Sequence, residues 1–179
     1  MISGKKVALR AVEDYDLQKL LEWRNNPEFR KFFREYRELN LFNQKSWFER
    51  YVNNDEHTRM FSIVDASNGE LLGACGLCYI DWVNRSADFS IYIGWNDIYI
   101  DDIYAIEAAE LMIKYGFNEL NLHRLWTEIY SIDSKKRLFF DKLGFIEEAI
   151  HKETHWTEGN WVDSLYFRLT RSEWCRRNK

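Results

Sequence analysis

Proline is nearly absent from this chain, with one residue, Pro27, in 179, and glycine is scarce at eight. That excludes a collagen-like repeat, polyproline linkers and the loop-dominated low-complexity classes. Cysteine is as sparse. Cys75, Cys78 and Cys175 leave one thiol over in any disulfide scheme, which argues against a stapled secreted scaffold and fits a reducing compartment. No apolar run approaches the roughly 18 residues that cross a bilayer, and residues 1–11 lack the apolar stretch of a secretory signal. The expectation is a cytoplasmic protein with no membrane partner. Positive charge is also in deficit: 25 Lys and Arg against 29 Asp and Glu give −4, which speaks against nucleic acid.

What is abundant is apolar and aromatic mass, 46% and 17% of the chain, including eight tryptophans. At this length a domain buries roughly 70% of its unfolded surface, and no repeat, linker or change of composition divides the chain, so one domain over 1–179 is expected. Alternation and turn signals predict strands over residues 5–12, 58–65, 70–80, 85–94, 124–130, 145–152 and 164–170. Asp14 caps a helix with Leu17, Leu20 and Leu21 on one stripe, stopped at Pro27. Phe29, Phe32, Phe33 and Tyr36 form a second amphipathic turn or helix, and residues 43–52 a third. Ala105, Ala108, Ala109, Met112, Gly116 and Phe117 mark the buried face of a long helix. Asp133 or Ser134 caps the next, and Gly144 ends it. The order β-α-α-β-β-β-α-β-α-β-β requires a crossover in the second half. The prediction is therefore an α/β (α+β) fold with a mixed sheet of about six to seven strands.

Several motifs have dull readings that outweigh the sharp ones. Cys75 and Cys78 make a C-x-x-C, but inside a strand i and i+3 point to opposite faces, so neither redox chemistry nor zinc is expected. His151, Glu153 and His155 alternate along one strand face; exposed hairpins carry such residues by chance, and no metal is expected. Arg30, Lys31, Arg34 and Arg37 are interleaved with Glu28, Glu35 and Glu38, a mixed surface face over an aromatic stripe. Trp82, Trp95, Trp156 and Trp161 fall in or beside loops, where a wall for a ring-bearing ligand competes with packing under the loops.

Residues 87–94 followed by a helix start, then Asn118-Glu119-Leu120-Asn121-Leu122-His123-Arg124, then Asp141-Lys142-Leu143-Gly144-Phe145 with Glu147-Glu148, resemble the GNAT N-acetyltransferase superfamily. The opening Leu9-Arg10-Ala11-Val12-Glu13-Asp14-Tyr15-Asp16 and Glu22-Trp23-Arg24-Asn25-Asn26-Pro27 fit as well, and place the similarity nearest the ribosomal-protein alanine acetyltransferase branch. The resemblance covers essentially the whole chain. It implies the GNAT fold, with two central strands splayed apart (here 85–94 and 124–130), acetyl-CoA as donor and an amine acceptor, small molecule or peptide, in a monomer or homodimer. It implies that Ile91, Tyr92 and Ile93 on the first splayed strand, and Ile103, Tyr104, Ala105, Asp133, Lys136 and Phe140, lie along the donor. Trp23, Arg24 and Trp82 are carried over as acceptor-side residues. Asp88 and Glu128 are the candidate bases; His123 reads as a helix-to-strand junction.

The chain departs from the family where the donor's pyrophosphate rests. The pattern Gln/Arg-x-x-Gly-x-Gly/Ala lets backbone N–H groups at a helix start approach phosphate. Here it reads Ile100-Asp101-Asp102-Ile103-Tyr104-Ala105, and only Ala105 matches. The expectation is that an aspartate occupies the helix's own N–H groups. The family's frequent Asn falls on Asp133, and its Tyr, the thiolate's acid, on Phe140; Lys135, Lys136 and Arg137 offer a compensating charge. The leading expectation is N-acetyl transfer to a primary amine on a protein N-terminus, amino sugar or other small amine. The alternatives are a catalytically silent binding module, or an acyltransferase fed by an acyl carrier protein.

Overall fold

Two-residue alternation over most of the strands, with 3.6-residue periodicity in the long helices, gives one eight-stranded sheet covered on both faces. A computed structural model describes residues 1–177. In chain order the elements are β1 (Ile2–Ser3), β2 (Val7–Ala11), α1 (Leu17–Asn25), α2 (Pro27–Arg30), α3 (Leu41–Trp47, running into a π-helical turn over Phe48–Asn53), β3 (Arg59–Asp65), β4 (Leu71–Asp81), β5 (Ser86–Ile93), α4 (Tyr104–Asn118), β6 (Arg124–Tyr130), α5 (Ser134–Leu143), β7 (Ile146–Thr157), β8 (Asn160–Thr170) and α6 (Arg171–Arg177). The sheet order is β1-β2-β3-β4-β5-β6-β8-β7, antiparallel throughout except β5–β6. The predicted order holds, with β1 as an added edge strand, α6 as an added terminal helix, and the turns around Pro27 divided into short helices.

The parallel pair is the feature that positions a site. β5 and β6 pair only at Ser86–Arg124, Ala87–Leu125 and Asp88–Trp126. Beyond Asp88 they part, while β5 stays bonded to β4 as far as Ile93 and β6 to β8 as far as Tyr130. Alternation then sorts the side chains of β5. Phe89, Ile91 and Ile93 enter the core beneath α4 and α5, with Met112, Phe139, Phe140 and Phe167. Tyr92 enters a second core on the opposite face, with Leu17, Leu20, Trp23, Phe29 and Tyr99.

Local signals explain most boundaries. Pro27 opens α2 after Asn26, whose side chain accepts from the Glu28 N–H. Asp133 accepts from the Lys136 N–H at the start of α5, and Gly144 ends that helix at φ 84°, where a side chain is strained. Tyr36 is a correction. The aromatic stripe buries Phe29 and packs Phe32 and Phe33 against Tyr99, but Tyr36 is 82% exposed. The chain leaves the helical path after Arg30, because the Asn25 side chain donates to the Leu39 carbonyl and accepts the Leu39 N–H, at 2.7 and 2.9 Å. Among the described residues no helix is long and apolar enough to cross a membrane.

Candidate functional site

Where β5 and β6 part, two carboxylates converge. Asp88, the last residue of β5 paired with β6, is 3% exposed. Its Oδ2 accepts from Nη1 of Arg34 at 2.7 Å, and Glu128 Oε2 on β6 accepts from Nε of the same guanidinium at 3.1 Å. Glu128 Oε1 accepts from Ser164 Oγ on β8 at 2.6 Å, and Thr154 Oγ1 on β7 lies 2.6 Å from that hydroxyl. A polar chain thus crosses four strands and ends on Arg34, which lies over the rings of Tyr79 and Trp126 at 5.7 and 6.0 Å. Burial pushes the Asp88 carboxyl above its ordinary 3.8, with Arg34 working in the opposite direction.

The open edge of β5 can be read from its alternation. The Gly94 N–H bonds to Leu72 on β4, whereas Ile93 exchanges both backbone bonds with Tyr99, at 2.8 Å each. Tyr99 therefore covers the β6-facing edge at Ile93, and parity turns the backbone groups of Phe89 and Ile91 to that same edge, those of Tyr92 to β4. Tyr99 has φ 67° and is buried; its hydroxyl donates to Asp133 Oδ2 at 2.5 Å. Lys136 is buried in the same cluster, its ammonium over Tyr99 at 5.2 Å and Phe33 at 5.9 Å, and burial lowers its pKa.

At the start of α4 the Asp101 carboxylate accepts the N–H groups of Tyr104 at 3.2 Å and Ala105 at 2.7 Å. Asp102 turns away to Lys142 Nζ, at 2.6 and 2.7 Å. Ile103 is exposed, and Tyr104 packs edge-on to Trp95 at 5.8 Å. The fit to acetyl-CoA, the donor that the resemblance implies, therefore divides. The parted strands offer an edge for an acyl-pantetheine arm. The helix start does not offer its N–H groups to a pyrophosphate until Asp101 leaves them.

The remaining sequence candidates are spread. Phe140 lies in the core, edge-on to Phe89 and Phe145 at 6.0 and 5.0 Å. Trp23 is buried against Tyr92 and beneath Gly94, where a Cβ would collide with the indole. Trp82 sits beyond β4, its indole N–H donating to the Glu56 carbonyl at 3.1 Å. Arg24 lies over Phe33 at 4.9 Å and lines a cavity described below. Arg137 pairs with Glu147. His123 does sit at a junction, its N–H on the Arg85 carbonyl at 2.7 Å. Cys75 and Cys78 point to opposite faces, against Met112 and Met60 respectively. His155 stacks on Tyr130 with ring centres 3.6 Å apart. Sequence reasoning missed Arg34 as a site residue; its local signal is its place beside Phe33, which packs against Tyr92.

Comparison with known proteins accords with this geometry. Residues 6–146 match the family described as the acetyltransferase (GNAT) domain. A spermidine N(1)-acetyltransferase of Vibrio cholerae is 24% identical over 98% of this chain and 99% of its own. A putative ribosomal N-acetyltransferase of Bacillus subtilis is 30% identical over 60% of this chain and 57% of its own. The crystal structure of the Vibrio cholerae spermidine N-acetyltransferase in complex with CoA and spermine superposes with a TM-score of 0.88 at 23% identity, covering 96% and 99% of the two chains. The matched family spans most of the chain and the splayed pair lies inside it: this protein belongs to the GNAT acetyltransferase family.

Proposed function

We propose that this chain transfers an acetyl group from acetyl-CoA, the family's donor, to a primary amine. The observation that carries the reading is the convergence of Asp88 and Glu128, from two separate strands, at the mouth of the gap. When bound, acetyl-CoA supplies its acetyl group as a thioester whose carbon–sulfur bond is exchanged for a carbon–nitrogen bond. Asp88 takes the proton that the attacking ammonium must lose; its raised pKa brings it nearer the working range of a base. Glu128, fixed by Ser164, shares the positive charge of the incoming amine. Arg34 is a positioning residue that holds the two carboxylates face to face. Phe140 has no proton to return to the leaving thiolate, so that proton comes from solvent.

Asp101 favours a second reading, in which the donor is an acyl group on a carrier protein's phosphopantetheine arm. That arm brings no pyrophosphate, and the engaged N–H groups of Tyr104 and Ala105 then cost nothing. One experiment separates the two. Acetyl-CoA is titrated by calorimetry into the natural protein and an Asp101→Ala variant, and acetylation of a panel of primary amines is followed in both and in Asp88→Asn. With acetyl-CoA as donor, Asp101→Ala binds at least tenfold more tightly while losing about 1 kcal/mol of stability with its helix cap, and Asp88→Asn loses about 100-fold or more in rate. Weaker binding by Asp101→Ala, or an undiminished rate in Asp88→Asn, overturns the reading.

A further inference from the structure

On the same face of the sheet as Tyr92, a cavity of about 460 Å³ opens between α1, the turn after α2, α3 and the sheet. Its walls carry three guanidinium groups, Arg24, Arg37 and Arg50, against one carboxylate, Glu35. Glu35 is already spoken for: Arg37 donates to both of its oxygens, at 2.9 and 2.7 Å. Arg24 and Arg50 make neither hydrogen bond nor ion pair among the described residues, and Arg24 Nε is buried without an acceptor. Gln44, 4% exposed, also lines the cavity. Buried polar groups without partners are costly and uncommon in native proteins. Here an Nε donor lines a space whose walls carry a net surplus of two positive charges. Phe42, Trp47 and Tyr51 supply apolar and ring surface around them.

We propose that this cavity holds the acceptor by an oxyanion, a carboxylate or phosphate, carried on a ring or other apolar body, so that the acceptor is an anionic amine rather than a polycation. The inference rests on the reading of the chain as an amine acetyltransferase. Tyr92 forms part of the cavity wall and lies on the same face of β5 as Asp88, four residues on, about 13 Å at 3.3 Å per residue. The molecule is thus held at its negative end by arginines and met at its amine end by carboxylates. A polyamine finds the opposite: its cations face Arg24 and Arg50.

The test separates binding from turnover. Phenyl phosphate, benzoate and spermidine are each titrated by calorimetry, without donor and at constant ionic strength, into the natural protein, an Arg24→Gln/Arg50→Gln variant and an Arg176→Gln control on α6. At least one of the two anions binds saturably, at least tenfold more weakly to the double variant and unchanged in the control. Equal binding of both anions to natural protein and double variant, equal loss in the control, or spermidine binding that the double variant does not strengthen, overturns the proposal. In parallel, acetylation of 4-(aminomethyl)benzoate is compared with that of benzylamine. A lower KM for the carboxylate compound, lost in the double variant, places the anion site in the acceptor's path. Anion binding with no acetylation of any amine defeats the acetyltransferase reading and leaves the anion site standing.

Discussion

Asp16 and Asp88 are both buried aspartates facing an arginine, yet their environments shift their carboxyls in opposite directions. Asp16 receives Arg10 on both oxygens, at 2.6 and 2.7 Å, together with the Glu13 N–H and the Ser62 hydroxyl. Burial works against its charge, but these donors outweigh it and hold the carboxyl below its ordinary 3.8. The stability it contributes is fully present above 3.8 and lost as pH falls through the lower folded value. Asp16→Ala strands a partly buried guanidinium, and chemical denaturation is expected to show a loss of about 3 kcal/mol. Asp88 has fewer donors and burial prevails, so its carboxyl is raised. Because Arg34 opposes that rise, Arg34→Gln moves the acidic limb of the pH–rate profile to higher pH, whereas Arg34→Lys moves it less. An unshifted limb in Arg34→Gln means that Asp88 is not the titrating base.

Elements show which signals were legible. The turn between the strands over 58–65 and 70–80, the strand over 85–94 and the cap-to-glycine frame of α5 were readable because each depends on residues within a few positions. β1 was missed because two residues carry no period, and its pairing rests on a turn held from elsewhere. α6 was missed too, although its start carries a capping box. The Thr170 N–H donates to Glu173 Oε2 at 2.8 Å, and the Glu173 N–H to Thr170 Oγ1 at 3.3 Å. Burial raises the Glu173 carboxyl, but Thr170 and Arg168 overcome it and bring it to about 2, from an ordinary 4.5. Its contribution is intact above pH 4.5 and disappears between there and about 2. Glu173→Gln is therefore expected to cost about 1 kcal/mol at pH 7 and nothing near pH 2, seen as a Tm difference that closes on acidification. A Tm gap of equal size at both pH values removes the carboxylate from the account.

At the scale of the whole molecule, the contacts that matter join residues far apart in the chain, which is why local patterns did not disclose them. Arg34 reaches Asp88 across 54 positions and Glu128 across 94, and no spacing rule foretells that the turn after α2 lies over the parted strands. The N-terminal edge is tied over a similar span. Glu107, in the first turn of α4, accepts the backbone N–H groups of Lys5, Lys6 and Val7 at 2.6, 2.8 and 3.0 Å. The turn between β1 and β2 wraps this carboxylate closely enough that a Cβ on Gly4 would lie 2.9 Å from it. One side chain thus fastens the outer strands to α4. Burial disfavours its charge, yet the three N–H groups hold its carboxyl below the ordinary 4.5, so this tie is complete above that pH and weakens as pH falls below it. Removing it leaves three partly exposed donors to water. Glu107→Ala is expected to cost about 2 kcal/mol, in the range of charge-assisted bonds. Because the loss is local, amide hydrogen exchange at residues 5–7 should quicken by about tenfold or more while β5 and β6 keep their protection. Exchange that quickens equally throughout the sheet would show instead that the N-terminal edge unfolds only with the whole, and that Glu107 secures the molecule rather than its edge.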